Sequence, residues 1–315
     1  MNCTRESKVL KRTMKVAGLL AAAGALAVSG TATAADKTIC FVTFSLQIAY
    51  FQSSVAGGKK AAEELGVELI VLDPQADSGR QVTQVEDCIA RNVDAIVVDP
   101  IESTSLIGVL AEAGERNIPI ATLDTKVDSP HVVTLIGVPQ YEASFTFGQF
   151  VAGWIIGKLD GKAKIGIMLA SSEVQLARRD GFIDALKAVP GAEVVATGDG
   201  RNILERSTAE AEDMLTANPD INVIYATGDP SLQGGLAAAE AQGRDIAFFG
   251  WDDIPEPFIK PLEDGRIVGF LKQKPAVGGE TAVRLLVDHL AGKEITPRFS
   301  YNPDVVTTYN LESFR

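Results

Sequence analysis

Apolar and polar positions alternate in two registers along this chain. Short β-rich runs are separated by helical patterns of about a dozen residues, the pattern expected of parallel strands joined by crossover helices. The spacing predicts strands at Thr38 to Phe44, Val67 to Leu72, Ala95 to Val98, Pro119 to Leu123 and Val132 to Ile136. Helices are predicted between them at Phe51 to Leu65, Ser78 to Arg91 and Ser103 to Arg116. Gly66 occupies a helix C-terminal position, and Ser78 and Ser103 are expected as N-caps.

The alternation then restarts, with strands expected near Lys164 to Leu169, Glu193 to Thr197, Val223 to Ala226, Ile246 to Trp251 and Ile267 to Leu271. A weak internal repeat accompanies the restart. AIVVDP precedes IPIATLD in one half, and VIYATGDP precedes DIAFFGWD in the other. The interval from Asp99 to Asp124 is 25 positions and that from Asp229 to Asp252 is 23, so each half carries a strand, helix, strand unit ending in a carboxylate. No low-complexity linker separates the halves, which implies closely coupled lobes joined by more than one crossing of the chain.

Residues 1–34 have the order of an export signal: Arg5, Lys8, Lys11, Arg12 and Lys15, then an uncharged stretch from Val16 to Val28, then Ala32-Thr33-Ala34. Cleavage is expected before Ala35. The apolar run is shorter than the roughly 20 residues a membrane span requires, so a soluble mature protein is expected. The full chain carries a net charge of -12. Losing the five basic groups and one acidic group of the signal takes the mature chain to -16. That balance argues against nucleic acid, whose phosphates need clustered Lys and Arg. About 280 mature residues exceed the usual size of a single core and point to two domains.

Export permits a disulfide between the two mature cysteines, Cys40 and Cys88. Nothing in the sequence brings their Cα atoms together, and their apolar contexts favour two separately buried thiols.

Ligands of open parallel sheets bind beyond the carboxyl ends of the strands. The residues expected there are Phe44, Tyr50, Phe51, Asp99, Asp124, Arg178, Asn202, Asp252 and Gln273, with Asp229 at a further strand end. Carboxylates, amides and a guanidinium suit a polyhydroxylated molecule because hydroxyls both donate and accept, while aromatic faces can stack on the C–H surface of a sugar ring. Loop aspartates also serve as caps and turn formers, but so many polar groups at one rim exceed what turns require.

An enzyme is disfavoured. The chain holds only His131 and His289, with no HExxH metal pattern and no GxSxG nucleophile turn. Both histidines are expected to be surface or packing residues. Asp99 and Asp124 as a glycosidase acid and base is the remaining catalytic alternative. No GxGxxG follows the first strand, and Gly57-Gly58-Lys59 lacks the upstream glycine of a Walker loop, its small residues being expected to let a helix pack closely on the sheet. No calcium-loop pattern is visible, so neither metal nor cofactor is expected.

The segments TICFVTFSLQIAYFQSSVAGGKKAAEELG, LIVLDPQAD, AIVVDPIES, IPIATLDT, ARRDGF, IYATGDPSLQGGLAAAEAQG, FFGWDD and GFLKQKPAVGG span nearly the whole mature chain. Together they resemble the periplasmic sugar-binding proteins of ABC importers, the ribose-binding protein family in particular. The resemblance implies an α/β, type 1 periplasmic binding protein: two Rossmann-like lobes with parallel sheets, joined by a three-strand hinge. Residues 35–137 plus 274–302 would form the amino lobe and 138–273 plus 303–315 the carboxyl lobe. It further implies a monomer in the periplasm that delivers a monosaccharide or polyol to a membrane permease. The alternative is a sensor presenting a bound sugar, amino sugar or signalling molecule to a chemoreceptor or sensor kinase. A sugar-responsive repressor shares the fold but needs a DNA-binding head where this chain has its signal.

The chain departs from the ribose binders at several ligand positions. Phe44 and Ile48 replace polar residues, Asp99-Pro100 replaces Asn-Pro, Thr125 replaces an arginine, and Gly228 replaces an asparagine. The pocket implied is more acidic, with Asp99, Asp124 and Asp252 facing chiefly Arg178. Its ligand either offers many hydroxyl donors or carries an amino group.

Overall fold

A computed structural model describes residues 37–314, and the expected export signal lies outside them. The first half runs β1 (Thr38–Val42), α1 (Ala49–Leu65), β2 (Glu68–Leu72), α2 (Ser78–Ala90), β3 (Ala95–Val98), α3 (Ser103–Glu115), β4 (Ile120–Leu123) and β5 (Val132–Gly137). The second runs α4 (Gln140–Leu159), β6 (Ala163–Leu169), α5 (Glu173–Leu186), β7 (Ala192–Asp199), α6 (Leu204–Ala217), β8 (Val223–Ala226), α7 (Asp229–Ala241), β9 (Ala247–Asp252), α8 (Glu256–Glu263) and β10 (Ile267–Lys272). Helix α9 (Pro275–Leu290) and strands β11 (Arg298–Ser300) and β12 (Asp304–Val306) follow.

Two six-stranded sheets result, ordered β11-β5-β4-β3-β1-β2 and β12-β10-β9-β8-β6-β7. The five successive strands of each half take the same order, and every pair is parallel except β10 with β12. The internal repeat in the sequence is therefore β3-α3-β4 in one sheet and β8-α7-β9 in the other. The chain passes between the sheets three times: after β5, after β10, and between β11 and β12. Helix α9 returns to pack on α1, and α4 packs on α5.

Strand alternation gives each sheet two apolar faces. In the first, Cys40, Val42, Ile96 and Val98 point to one core and Ile39, Phe41, Ala95 and Val97 to the other. In the second, Met168, Ile224 and Phe248 oppose Ile167, Tyr225, Phe249 and Trp251. Burial on both faces explains why these strands read as continuous apolar runs. Each large side chain so buried contributes roughly 1.5–3 kcal/mol.

Several local expectations are corrected. Ser78 and Ser103 are not N-caps but first helical residues. Asp77 caps α2 by accepting the amide of Arg80 at 2.7 Å, whereas Glu102 precedes α3 without a side-chain cap. Cys40 and Cys88 are bonded to each other, with Cα atoms 6.1 Å apart. Cys40 faces α2, and Val85, Cys88 and Ile89 form that helix's buried stripe. Gly57 allows helix to meet helix rather than sheet, since a Cβ there would lie 1.9 Å from the Ala276 carbonyl oxygen of α9, whereas Gly58 abuts the ring of Phe41 in β1. Gly66 ends α1 at φ 68°, as expected.

Candidate functional site

The carboxyl ends of both sets of strands border one cleft holding about 520 Å³ of empty volume. Eight of the nine residues anticipated at strand ends line it: Phe44, Tyr50, Phe51, Asp99, Asp124, Arg178, Asn202 and Asp252. Gln273 stands one layer behind, fully buried, donating to Asp252 Oδ1 at 2.7 Å. The halves also touch at the rim, where the Ser53 hydroxyl donates to Asp253 at 2.9 Å and that of Ser103 to Glu173.

The strand-end backbone is bent to present these side chains. Asp124, Asn202 and Asp252 have φ of 53°, 57° and 102°, in the left-handed region that Asp and Asn enter more readily than other side chains. Gly137 on β5 makes room for Asp124, whose Oδ1 would lie 2.6 Å from a Cβ there. The loops after β1 and β3 are tied by one amide. Gln81 donates to the carbonyls of Thr43 at 3.1 Å and Asp99 at 2.7 Å, and accepts the Ile101 amide at 2.9 Å.

Arg178 is the hub on the other side. Its Nη1 donates to Asp252 Oδ1 and to the Thr227 carbonyl, both at 2.7 Å, and its Nε donates to Gln140 Oε1 at 2.8 Å. The guanidinium lies 4.4 Å over the Trp251 ring, an arrangement attractive to a cation. Trp251 donates to Tyr225, whose hydroxyl meets Ser144 at 2.6 Å. Asp252 also accepts the Asp229 amide at 3.1 Å through Oδ2, so both its oxygens are engaged.

Asp124 accepts the Tyr50 hydroxyl and, at 3.3 Å, the Gln140 amide. Burial holds the Asp124 carboxyl above its ordinary range, the Tyr50 bond opposing the rise. Asp99 is pushed well up by burial and then by the neighbouring Asp124 charge, and its Oδ2 has no partner. Tyr50 is raised by burial and by Asp124. Across the cleft mouth Phe44 stacks on Phe51, ring centres 4.9 Å apart and planes within 5°, with Ile48, Pro100, Val174 and Pro230 extending the apolar wall.

Sequence reasoning missed Gln140 and Gln175. Gln175 precedes Arg178 by one helical turn on α5, and that spacing could have revealed it. Its Oε1 accepts from the Ala170 amide at 2.8 Å and the Thr227 hydroxyl at 2.6 Å, while its Nε2 donates to Asn202 at 2.6 Å. Gln140 gives no such signal, because only the fold brings it beneath both Asp124 and Arg178. His131 and His289 line a separate pocket with Pro119 and Pro130, at the amino ends of β4 and β5. Among the described residues no helix is long and apolar enough to cross a membrane.

The periplasmic binding protein domain family matches residues 39–294. The chain is 27% identical over 269 residues to the ribose import binding protein of Bacillus subtilis, covering 84% of this chain and 85% of that protein. The glucose-galactose binding protein GanP of Geobacillus stearothermophilus superposes with a TM-score of 0.80 at 26% identity, over 87% of this chain and 98% of GanP. A solute-binding protein of an ABC transporter from Bacillus halodurans, solved with bound myo-inositol, gives 0.80 at 25% identity over 88% and 96%. With its two equivalent sheets, triple crossing and interlobe cleft, this chain belongs to the periplasmic binding protein domain family, among the sugar-binding solute receptors of ABC transporters.

Proposed function

We propose that the protein captures a monosaccharide or polyol between its lobes and delivers it to the membrane permease of an ABC importer. The observation that carries this reading is the lining of the cleft. Carboxylates and an amide from strand ends, with an amide and a guanidinium from α5, face a parallel pair of phenylalanine rings across one cleft. Such a lining can match a ring of hydroxyls while covering its C–H surface. The relatives named above are a ribose import binding protein, a glucose-galactose binding protein and a solute-binding protein solved with myo-inositol, which supports the same ligand class here.

In this reading residues 35–137 plus 274–302 move as one lobe and 138–273 plus 303–315 as the other. The open form takes ligand on the amino lobe, and closure brings Arg178, Asn202, Asp252 and the supporting Gln273 into place. Ligand shifts the balance only through its greater affinity for the closed form, and that form is what a permease reads. The bound groups hold and orient; no covalent step is involved.

A melting screen of the purified protein against pentoses, hexoses, deoxysugars, polyols, inositols and amino sugars tests the proposal. A ligand present at about 100 times its dissociation constant stabilises the fold by about 2.7 kcal/mol and raises the melting point. A rise with at least one compound, confirmed by calorimetry at one site per chain, is the expected result. No shift across the set refutes the reading.

A further inference from the structure

Carboxyl groups outnumber basic groups in the cleft. Among the described residues Arg178 is the only basic side chain lining it, against Asp99, Asp124 and Asp252. That guanidinium is committed to Asp252 at 2.7 Å, with its other donations going to Gln140 and the Thr227 carbonyl. Asp124 accepts from neutral groups, Tyr50, Gln140 and the Val138 backbone, and feels the Arg178 charge without an ion pair to it. Asp99 is 3% exposed, lines the cleft, and has an Oδ2 without any partner. A buried carboxylate left in this state is costly unless a donor, and preferably a cation, is supplied to it.

Resting on the cleft reading above, we infer that the ligand is a cationic amino sugar or amino polyol whose ammonium is seated against Asp99 on the Asp124 side. An ammonium offers three donors and one positive charge. It satisfies Asp99 Oδ2 and compensates both carboxylates at once. A sugar hydroxyl supplies one donor and no charge, leaving Asp99 without a cation beside it. The hydroxyls of the same ligand then face Asn202, Asp252 and Gln175, while its carbon skeleton lies along Phe44 and Phe51.

Calorimetry near neutral pH tests this with matched sets: glucosamine, galactosamine, mannosamine and 1-amino-1-deoxyglucitol, each beside its hydroxyl parent and its N-acetyl derivative. At least one amine should bind about tenfold or more tighter than both of its neutral counterparts. In Asp99→Asn, shown to be folded by its melting transition, the ratio of amine to parent affinity should fall toward one, because an amide keeps the shape and removes the charge. Neutral parents binding as tightly as their amines, or taking up a proton on binding, overturns the inference and leaves a neutral-sugar receptor standing. Persistence of the amine preference in Asp99→Asn also overturns it. Failure of every amine and every neutral sugar removes the cleft reading together with it.

Discussion

Gln140 accepts the Nε–H of Arg178 at 2.8 Å from the first chain crossing, three residues beyond the end of β5. Its amide nitrogen donates to Asp124 at 3.3 Å. One neutral side chain therefore links the carboxylate at the end of β4 in one half to the guanidinium on α5 of the other, at the point where the chain passes between the sheets. Gln273 stands equivalently on the second crossing, bonded to Asp252 at 2.7 Å. Side chains on the chain crossings thus brace the residues that line the cleft, joining the cleft to the crossings mechanically.

Replacing Gln140 by Leu keeps the volume and removes both hydrogen bonds. Each is worth about 1 kcal/mol, and the bond to a charged group is worth more. Calorimetry with the ligand found by screening should show a loss of affinity of about five- to thirtyfold. Unaltered affinity would show that the crossing does not communicate with the site.

Arg178 does more than line the cleft. It is 3% exposed, pairs with Asp252, supports Gln140 and the Thr227 carbonyl, and rests on Trp251. Arg178→Ala leaves Asp252 as a buried carboxylate without its cation, a change that typically costs about 3–5 kcal/mol of stability. Affinity should fall about tenfold or more. Arg178→Lys keeps the charge but loses the planar fork, so it should recover part of the stability and little of the affinity. Urea unfolding and calorimetry on both variants separate the two effects, and an alanine variant as stable as the parent would contradict the hub assignment.

The Cys40–Cys88 bond joins β1, the strand next to the sheet edge, to α2, the helix whose Gln81 holds the loops carrying Phe44 and Asp99. The two cysteines are 48 positions apart, which in the chain-entropy picture amounts to about 4 kcal/mol of stabilisation. Both are fully buried, so reductant should leave the folded protein intact and act only once it opens. The double variant Cys40→Ala, Cys88→Ala should melt well below the parent yet bind ligand with nearly the same affinity, since neither sulfur lines the cleft. Equal melting points would show that packing alone secures α2.

The pattern of apolar runs was enough to place the strands at the site, because parallel strands buried on both faces announce themselves and their carboxyl ends follow. Phe44, Asp99, Asp124 and Asp252 were legible for that reason. β11 and β12 were not, each being three residues long and so too short for a period to register. The disulfide depended on the facing of β1 and α2, a tertiary relation that composition cannot supply. Gln140 and the rim contacts Ser53–Asp253 and Ser103–Glu173 join positions far apart in sequence, which explains why Ser103 looked like a cap.

Asp229 yields a pH-dependent prediction in which two effects oppose. It opens α7, where the positive end of the helix favours an anion by about 0.3–1 kcal/mol. It is also 2% exposed, neither carboxylate oxygen has a partner, and burial followed by the charges of Asp252 and Asp253 raises its pKa well above the ordinary value. Because the folded pKa exceeds the unfolded one, the group costs nothing below about pH 4, where both states hold the proton. As pH rises the unfolded chain releases its proton first. The fold then loses about 1.4 kcal/mol for every pH unit until its own carboxyl ionises. Asp229→Asn abolishes that loss, so its stability relative to the parent should grow as pH rises above about 4 in urea unfolding. Taking the difference between the two proteins cancels Asp99, which shifts in the same direction and is present in both. If the variant is instead less stable than the parent at neutral pH, the helix terminus outweighs burial and Asp229 is ionised in the fold.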